Sequence, residues 1–140
     1  GQKDFQQLSI VRRMIRQLNI PTQLVMCPII READGLAMSS RNRRLPAEDR
    51  QRATLLYRIL REAQQEMEYK TANEIVVAAL KKLSVPGFKP EYFDIVDADT
   101  LLPIKDFADT SFIIACLAVW VGEIRLIDNL ILKGAPTTGE

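Results

Sequence analysis

Two short segments of this chain set a cation beside small hydrogen-bonding groups: Gly1-Gln2-Lys3-Asp4-Phe5-Gln6-Gln7-Leu8, and Met38-Ser39-Ser40-Arg41. That equipment suits a polyphosphate. Lys3 stands at the predicted start of a helix, where free backbone N–H groups and the positive end of the helix dipole point outward. In the second segment two hydroxyls adjoin a guanidinium, so phosphoryl oxygens can be bound while a fixed charge offsets negative charge at the α-phosphate during transfer. Neither feature is specific in isolation. A lysine near a chain start is more often a solvated surface charge, and a bare Ser-Ser-Arg means little. Asp4 and Gln7 also have a purely structural explanation, because an acidic residue followed three positions later by Gln reads as a helix capping box.

The elements that must position these groups are legible in the hydrophobic pattern. Phe5, Leu8, Val11, Ile15 and Leu18 recur at helical spacing after Asp4, and Asn19 with Pro21 ends that helix. Leu24 to Ile30 is a short apolar run of the kind a buried strand shows. Arg31 to Arg44 is polar and contains Gly35, which reads as a working loop with few apolar anchors and therefore as the most mobile internal segment. Arg43 and Arg44 at its end read as a solvated face. Pro46 at a first helical position, with Glu48 and Asp49 in the first turn, starts one long helix to about Tyr69, buried through Ala53, Leu56, Leu60, Ala63 and Met67. Thr71 and Glu74 form a second capping box, before a helix facing inward through Ile75, Val76, Ala79, Leu80 and Leu83. Pro86-Gly87 stops it. After that the period changes: Tyr92 to Asp97, Phe112 to Val121 and Ile124 to Asp128 read as strands, with a hairpin at Gly122-Glu123. Leu56, Leu60, Leu80, Ile113, Leu117 and Leu126 are the expected common core.

Composition bounds the function classes. With 140 residues, 47% apolar, 26% charged and a net charge of +1, the chain carries no strong field for nucleic acid or an anionic membrane. Arg12, Arg13 and Arg16 sit between apolar positions of the first helix, without the aromatic interleaving that stacks on bases. The longest apolar run, Phe112 to Val121, falls well short of the ~20 residues a membrane helix requires. Cys27 and Cys116 lie in apolar stretches rather than at metal or redox spacing, and are expected to be buried reduced thiols. No charged-then-apolar signal segment opens the sequence, so a cytoplasmic location is expected. Glu32, Asp34, Asp97 and Asp99 do not pair at a spacing that argues for a metal.

The octapeptide from Gly1 to Leu8, the run Arg31-Glu32-Ala33-Asp34-Gly35-Leu36-Ala37-Met38-Ser39-Ser40-Arg41-Asn42, and the later Phe93 to Leu101 and Arg125 to Asn129 together resemble the pantoate-β-alanine ligase family of the nucleotidyltransferase superfamily. The first segment keeps every element of that family's Gly-(Glu/Gln)-Lys-Asp-(Phe/Tyr)-Gln-Gln-Leu motif. The second corresponds to the superfamily's Lys-Met-Ser-Lys-Ser loop. The family's His-x-Gly-His signature has no counterpart in a chain without histidine, so the resemblance implies a C-terminal portion. It further implies an α+β fold. Helices would pack on a small three-stranded antiparallel sheet, preceded by the last helix and strand of a Rossmann-like nucleotidyltransferase domain. Residues 1–29 would be the edge of that domain, 30–134 a lid domain and 135–140 a flexible tail.

The same resemblance implies the roles of individual residues. Gly1, Gln2, Lys3 and Asp4 would contact ATP, with Lys3 at the phosphates and Asp4 on the ribose side. Ile30 would lie against adenine, Met38, Ser39, Ser40 and Arg41 would bind ATP, and Gln7 would hydrogen-bond pantoate. Lys3, Ser39, Ser40 and Arg41 are thus the catalytic candidates. Substrates would be ATP, pantoate and β-alanine, with Mg²⁺ expected in the complete enzyme on ligands outside this chain, and a homodimer made through the N-terminal domain. This chain alone is expected to be inactive. The rival readings are a free-standing nucleotide-binding module and an inert structural fragment; ATP affinity in isolation separates the two.

Overall fold

Leu56, Leu60 and Ala63 repeat on one face of a helix, and a sheet built from the last three apolar runs buries that face. The computed structural model describes residues 1–135. Its three strands, β1 (Phe88–Asp97), β2 (Ile113–Val121) and β3 (Ile124–Lys133), pair antiparallel in the order β1-β2-β3. Val121 pairs with Ile124 across the turn, and Gly122 takes φ +59°, so the hairpin falls where the sequence places it. β3 runs five residues past the expected Asp128, to Lys133. β1 begins earlier than expected, at Phe88, and accommodates Pro90 on an edge strand where the register shifts between Pro90 and Tyr92. β2 is central, and every residue in it except Cys116 and Trp120 is buried.

Four helices accompany the sheet: α1 (Phe5–Gln17), α2 (Ala47–Arg52), α3 (Leu55–Glu66) and α4 (Ala72–Leu83). α3 and α4 cover one face. Leu56, Ile59 and Leu60 of α3 and Ile75, Ala79 and Leu83 of α4 join Phe93, Ile95, Ala115, Leu117, Val119 and Leu126 in one core. All six expected core residues lie in or against it, Leu80 only partly buried. On the opposite face Phe5 packs with Val96, Ala98, Phe112 and Ile114, its ring edge-on to Phe112 at 6.3 Å. α1 is therefore attached by its first turns. Ile10, Met14 and Leu18 are exposed, so the inward face expected to reach Leu18 is buried only at Phe5 and Leu8.

Three local expectations need correction. The long helix from Pro46 is two helices: Ala53 and Thr54 interrupt it, and the Thr54 hydroxyl donates to Gln51 O at 2.9 Å, a local bond that competes with helical pairing. Pro46 itself stands at the N-cap of α2 rather than inside it. Asp4 occupies the N-cap of α1 but makes no side-chain capping bond, because a 3-10 turn over Gln2–Asp4 continues into the helix. Thr71, by contrast, accepts from Glu74 N at 3.2 Å, as a capping residue should.

Residues 23–30 form no strand. A strand exists only through its ladder, and among the described residues no ladder runs along this segment, which has only single backbone bonds at Cys27 O and Ile30 O. Val25 and Ile30 are consequently exposed, at 71% and 70%. Cys27 is exposed with them, against the expectation of a buried thiol. Cys116 is half-buried on β2, and burial pushes its thiol up to about 12. Among the described residues no helix is long and apolar enough to cross a membrane, and the run Phe112 to Val121 is mostly strand. The tail beyond Ala135 lies outside the described residues.

Candidate functional site

Side chains alternate along a strand, so consecutive residues serve opposite faces of a sheet. In the middle of β3, Asp128 points to the helix-covered face and Asn129 to the other, and each holds one of the two cationic segments. Both are buried, at 3% and 2% exposure. Asn129 grips the first segment. Its side-chain amide donates to Gln2 O at 2.8 Å and Lys3 O at 3.1 Å, and its Oδ1 accepts from Gln2 Nε2 at 3.1 Å. Gln2 N donates to Cys27 O at 2.8 Å, which ties the turn to the extended segment as well.

Asp128 grips the second segment through Arg31. The guanidinium meets the carboxylate two-pronged, at 2.7 and 3.0 Å, and also donates to Gly35 O and Asn129 O. It lies 3.9 Å over the Tyr57 ring of α3. Burial pushes the Asp128 carboxyl above its ordinary value, and the Arg31 pairing works against that rise.

From Arg31 the chain folds back on itself. Arg31 bridges Ala37, Glu32 N donates to Leu36 O, and Met38 N donates to Ile30 O at 2.9 Å. Apolar anchors in this loop are few, as expected, but it has them: Leu36 and Ala37 are buried, Asn42 Nδ2 donates to Ala37 O at 3.0 Å, and Leu45 just beyond the loop is buried too. Asp34 at the tip is held by Arg50 of α2 at 2.7 Å, and that pairing keeps its carboxyl below its ordinary value. Leu36 and Leu45 show no helical or strand period, so the hydrophobic pattern does not single them out as anchors.

Gly35 turns this loop at φ +93°, and a Cβ there would overlap the Tyr57 ring. Gly35→Ala is expected to lower the unfolding free energy by at least about 1–2 kcal/mol, the cost of a left-handed non-glycine residue. A melting curve checks this, and an unshifted midpoint would show that Tyr57 and the loop relax freely.

The working groups follow the anchors. Met38 is 46% exposed and sits beside exposed Ile30. Ser39 Oγ accepts from Arg41 N at 3.2 Å, which opens a 3-10 turn over Ser40–Arg44. Ser40, Arg41, Arg43 and Arg44 are exposed. Arg41 Nη1 donates to Arg125 O of β3 at 3.3 Å. The lysine of the first segment is close enough to Arg41 and Asp128 to feel both: burial lowers the Lys3 amine below its ordinary value, Asp4 and Asp128 raise it, and Arg41 lowers it. So Lys3 and Arg41, far apart in sequence, both lie against β3, the Lys3 turn at Asn129 and Arg41 at Arg125, and Ser39 and Ser40 adjoin Arg41. Gly1 and Asp4 are exposed beside them. Gln7 is one helical turn away and lines a cleft of about 350 Å³ with Lys3, Tyr92, Asp94 and Arg125.

Known proteins share this sequence and fold. The family model described as pantoate-β-alanine ligase matches residues 1–131. The chain belongs to the pantoate-β-alanine ligase family. A pantothenate synthetase of Bacteroides fragilis is 42% identical over 134 residues, covering 95% of this chain and 48% of the relative. One from Azobacteroides pseudotrichonymphae is 40% identical, covering 93% and 47%. The crystal structure of pantothenate synthetase from Thermus thermophilus superposes with TM-score 0.87 at 41% identity, over 95% of this chain and 48% of that one. The pantoate-β-alanine ligase of Francisella tularensis, complexed with β-γ ATP and β-alanine, superposes with TM-score 0.62 at 27% identity, over 98% and 44%. The chain thus spans about half the length of the curated relatives it matches.

Within this family fold, sequence reasoning overlooked Asp128 and Asn129 as part of the site. Their signal was available as two adjacent polar residues inside an otherwise apolar run, Leu126 to Leu132, which is costly unless both are satisfied. Among the described residues no group of three or more His, Cys, Asp or Glu is placed to hold a metal ion.

Proposed function

We propose that this chain forms part of an ATP-dependent ligase that condenses pantoate with β-alanine through a pantoyl adenylate, with residues 1–29 the edge of the nucleotidyltransferase domain and 30–134 its lid. The observation that carries the reading is that Lys3 and the Met38–Arg41 loop lie close together against β3 in a family member. In the first step a pantoate carboxylate oxygen attacks the α-phosphorus of ATP, the bond to the bridging oxygen breaks, and pyrophosphate leaves. In the second, the amine of β-alanine attacks the acyl carbon and AMP departs, giving pantothenate.

The protein's share is position and charge, which dominate such transfers. Lys3 and Arg41, with the Ser39 and Ser40 hydroxyls, hold the phosphates and offset their charge. Gly1, Gln2 and Asp4 flank the same nucleotide, with Asp4 towards the ribose. Ile30 and Met38, adjacent and exposed, offer an apolar contact to adenine. Gln7 reaches pantoate from the cleft. No step passes through a metal held by this chain.

ATP binding by the purified chain tests the reading, and pH sharpens the test. Lys3 titrates below the ordinary lysine value of 10.5, chiefly through burial, so its charge is lost earlier than that of a solvated lysine as pH rises. Affinity for ATP is expected to weaken on the acid side of 10.5, and Lys3→Ala is expected to remove that inflection. Flat affinity across the alkaline range would remove Lys3 from the phosphates. The isolated chain, lacking any imidazole, is expected to release no AMP from ATP, pantoate and β-alanine. Turnover comparable with that of a complete enzyme would overturn this.

A further inference from the structure

We infer that Asn129 is a positioning residue for Lys3, fixing its height on one face of β3 relative to the Met38–Arg41 loop that Asp128 and Arg31 anchor from the other face. The inference rests on the nucleotide-binding reading above and adds a residue to it. An amide side chain has two donors and one acceptor oxygen, and Asn129 uses all of them on the turn that carries Lys3: two bonds to the carbonyls of Gln2 and Lys3, one from the Gln2 side chain.

Its own backbone is fixed too. Asn129 N donates to Asp128 Oδ1 at 2.7 Å, and Asn129 O accepts from Arg31 at 3.1 Å. One residue therefore touches both segments, the first through its side chain and the second through its main chain. Cross-strand pairing with Cys116 of the buried central strand leaves it little freedom to move.

The geometry also explains why the turn requires such a clamp. Gln2–Asp4 is three residues long and contributes no buried residue, while the first apolar anchor is Phe5. Without Asn129 the carbonyls of Gln2 and Lys3 lose their partner and the turn is tied only through Gln2 N and Phe5. Lys3 would then be free to swing towards water, away from the phosphates that Ser39, Ser40 and Arg41 hold.

Asn129→Ala tests this on the purified chain. Calorimetry with ATP, well below the unfolding temperature, is expected to show affinity reduced roughly ten-fold, the scale of a misplaced binding group. The double variant Asn129→Ala/Lys3→Ala is expected to bind no more weakly than Lys3→Ala alone, since Asn129 acts through Lys3. Unchanged affinity in the single variant, or additive losses in the double, overturns the inference. A second readout needs no nucleotide. Titrated by NMR, the Lys3 amine of Asn129→Ala is expected to move up towards 10.5 as it gains water. A purely structural Asn129 would lower the melting temperature and leave that titration in place. Should the unmodified chain bind no ATP, the nucleotide reading fails, while the Lys3 titration still decides whether Asn129 holds the turn. If the alanine variant does not fold, Asn129→Ser carries the same measurements, because a serine hydroxyl is too short to span both carbonyls.

Discussion

Arg31→Ala is expected to destabilise this chain by about 3–5 kcal/mol at neutral pH, the range for breaking a buried pair and leaving one charge behind. The reason is Asp128, whose side chain is only 2% exposed and whose carboxylate has Arg31 as its partner at 2.7 and 3.0 Å. The loss should also depend on pH in a definite direction. Burial already raises the folded-state value of Asp128 above the ordinary carboxylate value of 3.8, and Arg31 is the main influence holding it down. A folded value above the unfolded one means that stability is greatest below the unfolded value and is lost as pH rises through the folded one. Removing Arg31 lifts the folded value further, so the gap between variant and parent widens as pH climbs from about 4 and narrows below it. Denaturant melts at about pH 4 and about pH 7 check this. A deficit of equal size at both would show that the lost stacking on Tyr57, rather than the stranded carboxylate, sets the cost.

The pair gives the Met38–Arg41 loop its fixed end. A buried ion pair is poor grounds for net stability, since an apolar replacement of the same volume is often as good. What Arg31 supplies is geometry: four directed hydrogen bonds to Asp128, Gly35 and Asn129, which set where the loop leaves the sheet. Loop residues that must meet a phosphate need such support, because misplacement by an ångström can cost ~10²-fold in rate.

The sequence was informative where local chemistry decides the outcome. The Thr71 cap and the Gly122-Glu123 hairpin each depend on a few adjacent residues; the hairpin took the expected form, and of the expected capping box the bond from Glu74 N to the Thr71 hydroxyl formed. It was misleading where distant partners decide. Gln23 to Ile30 has the composition of a strand, yet composition cannot supply a neighbour, and the segment lies unladdered. Ala53 and Thr54 carry an apolar stripe that continues across the break between α2 and α3, so periodicity alone could not see it. The candidate site divides the same way. Lys3 and Ser39 to Arg41 stood out in the sequence as types suited to a polyphosphate, whereas the partners of Asp128 and Asn129 come together only once the chain has folded. Adjacent positions on a strand serve opposite faces, and the pairing with Leu117 and Cys116 fixes which face each takes.

Arg41→Ala, placed in a complete enzyme that contains this chain, is expected to slow adenylate formation by ~10²-fold or more while changing stability by less than about 0.5 kcal/mol. The two halves of that expectation come from different facts. Arg41 is exposed and its side chain makes one bond, to Arg125 O at 3.3 Å, so the fold loses little without it. Its charge nevertheless lies near enough to Lys3 to oppose protonation there. The two cations repel each other, Asp4 and Asp128 relieve part of that repulsion at Lys3, and a bound triphosphate is expected to relieve more. The relief should grow as charge gathers on the departing pyrophosphate, which is where a preorganised guanidinium contributes most. The same proximity makes a second, independent readout. Loss of Arg41 removes one influence that lowers Lys3, so the alkaline inflection of ATP binding should move to higher pH in the variant. Single-turnover kinetics give the first quantity and a pH series of binding gives the second. An unchanged single-turnover rate would return Arg41 to the solvated surface, and an unmoved inflection would separate it from Lys3.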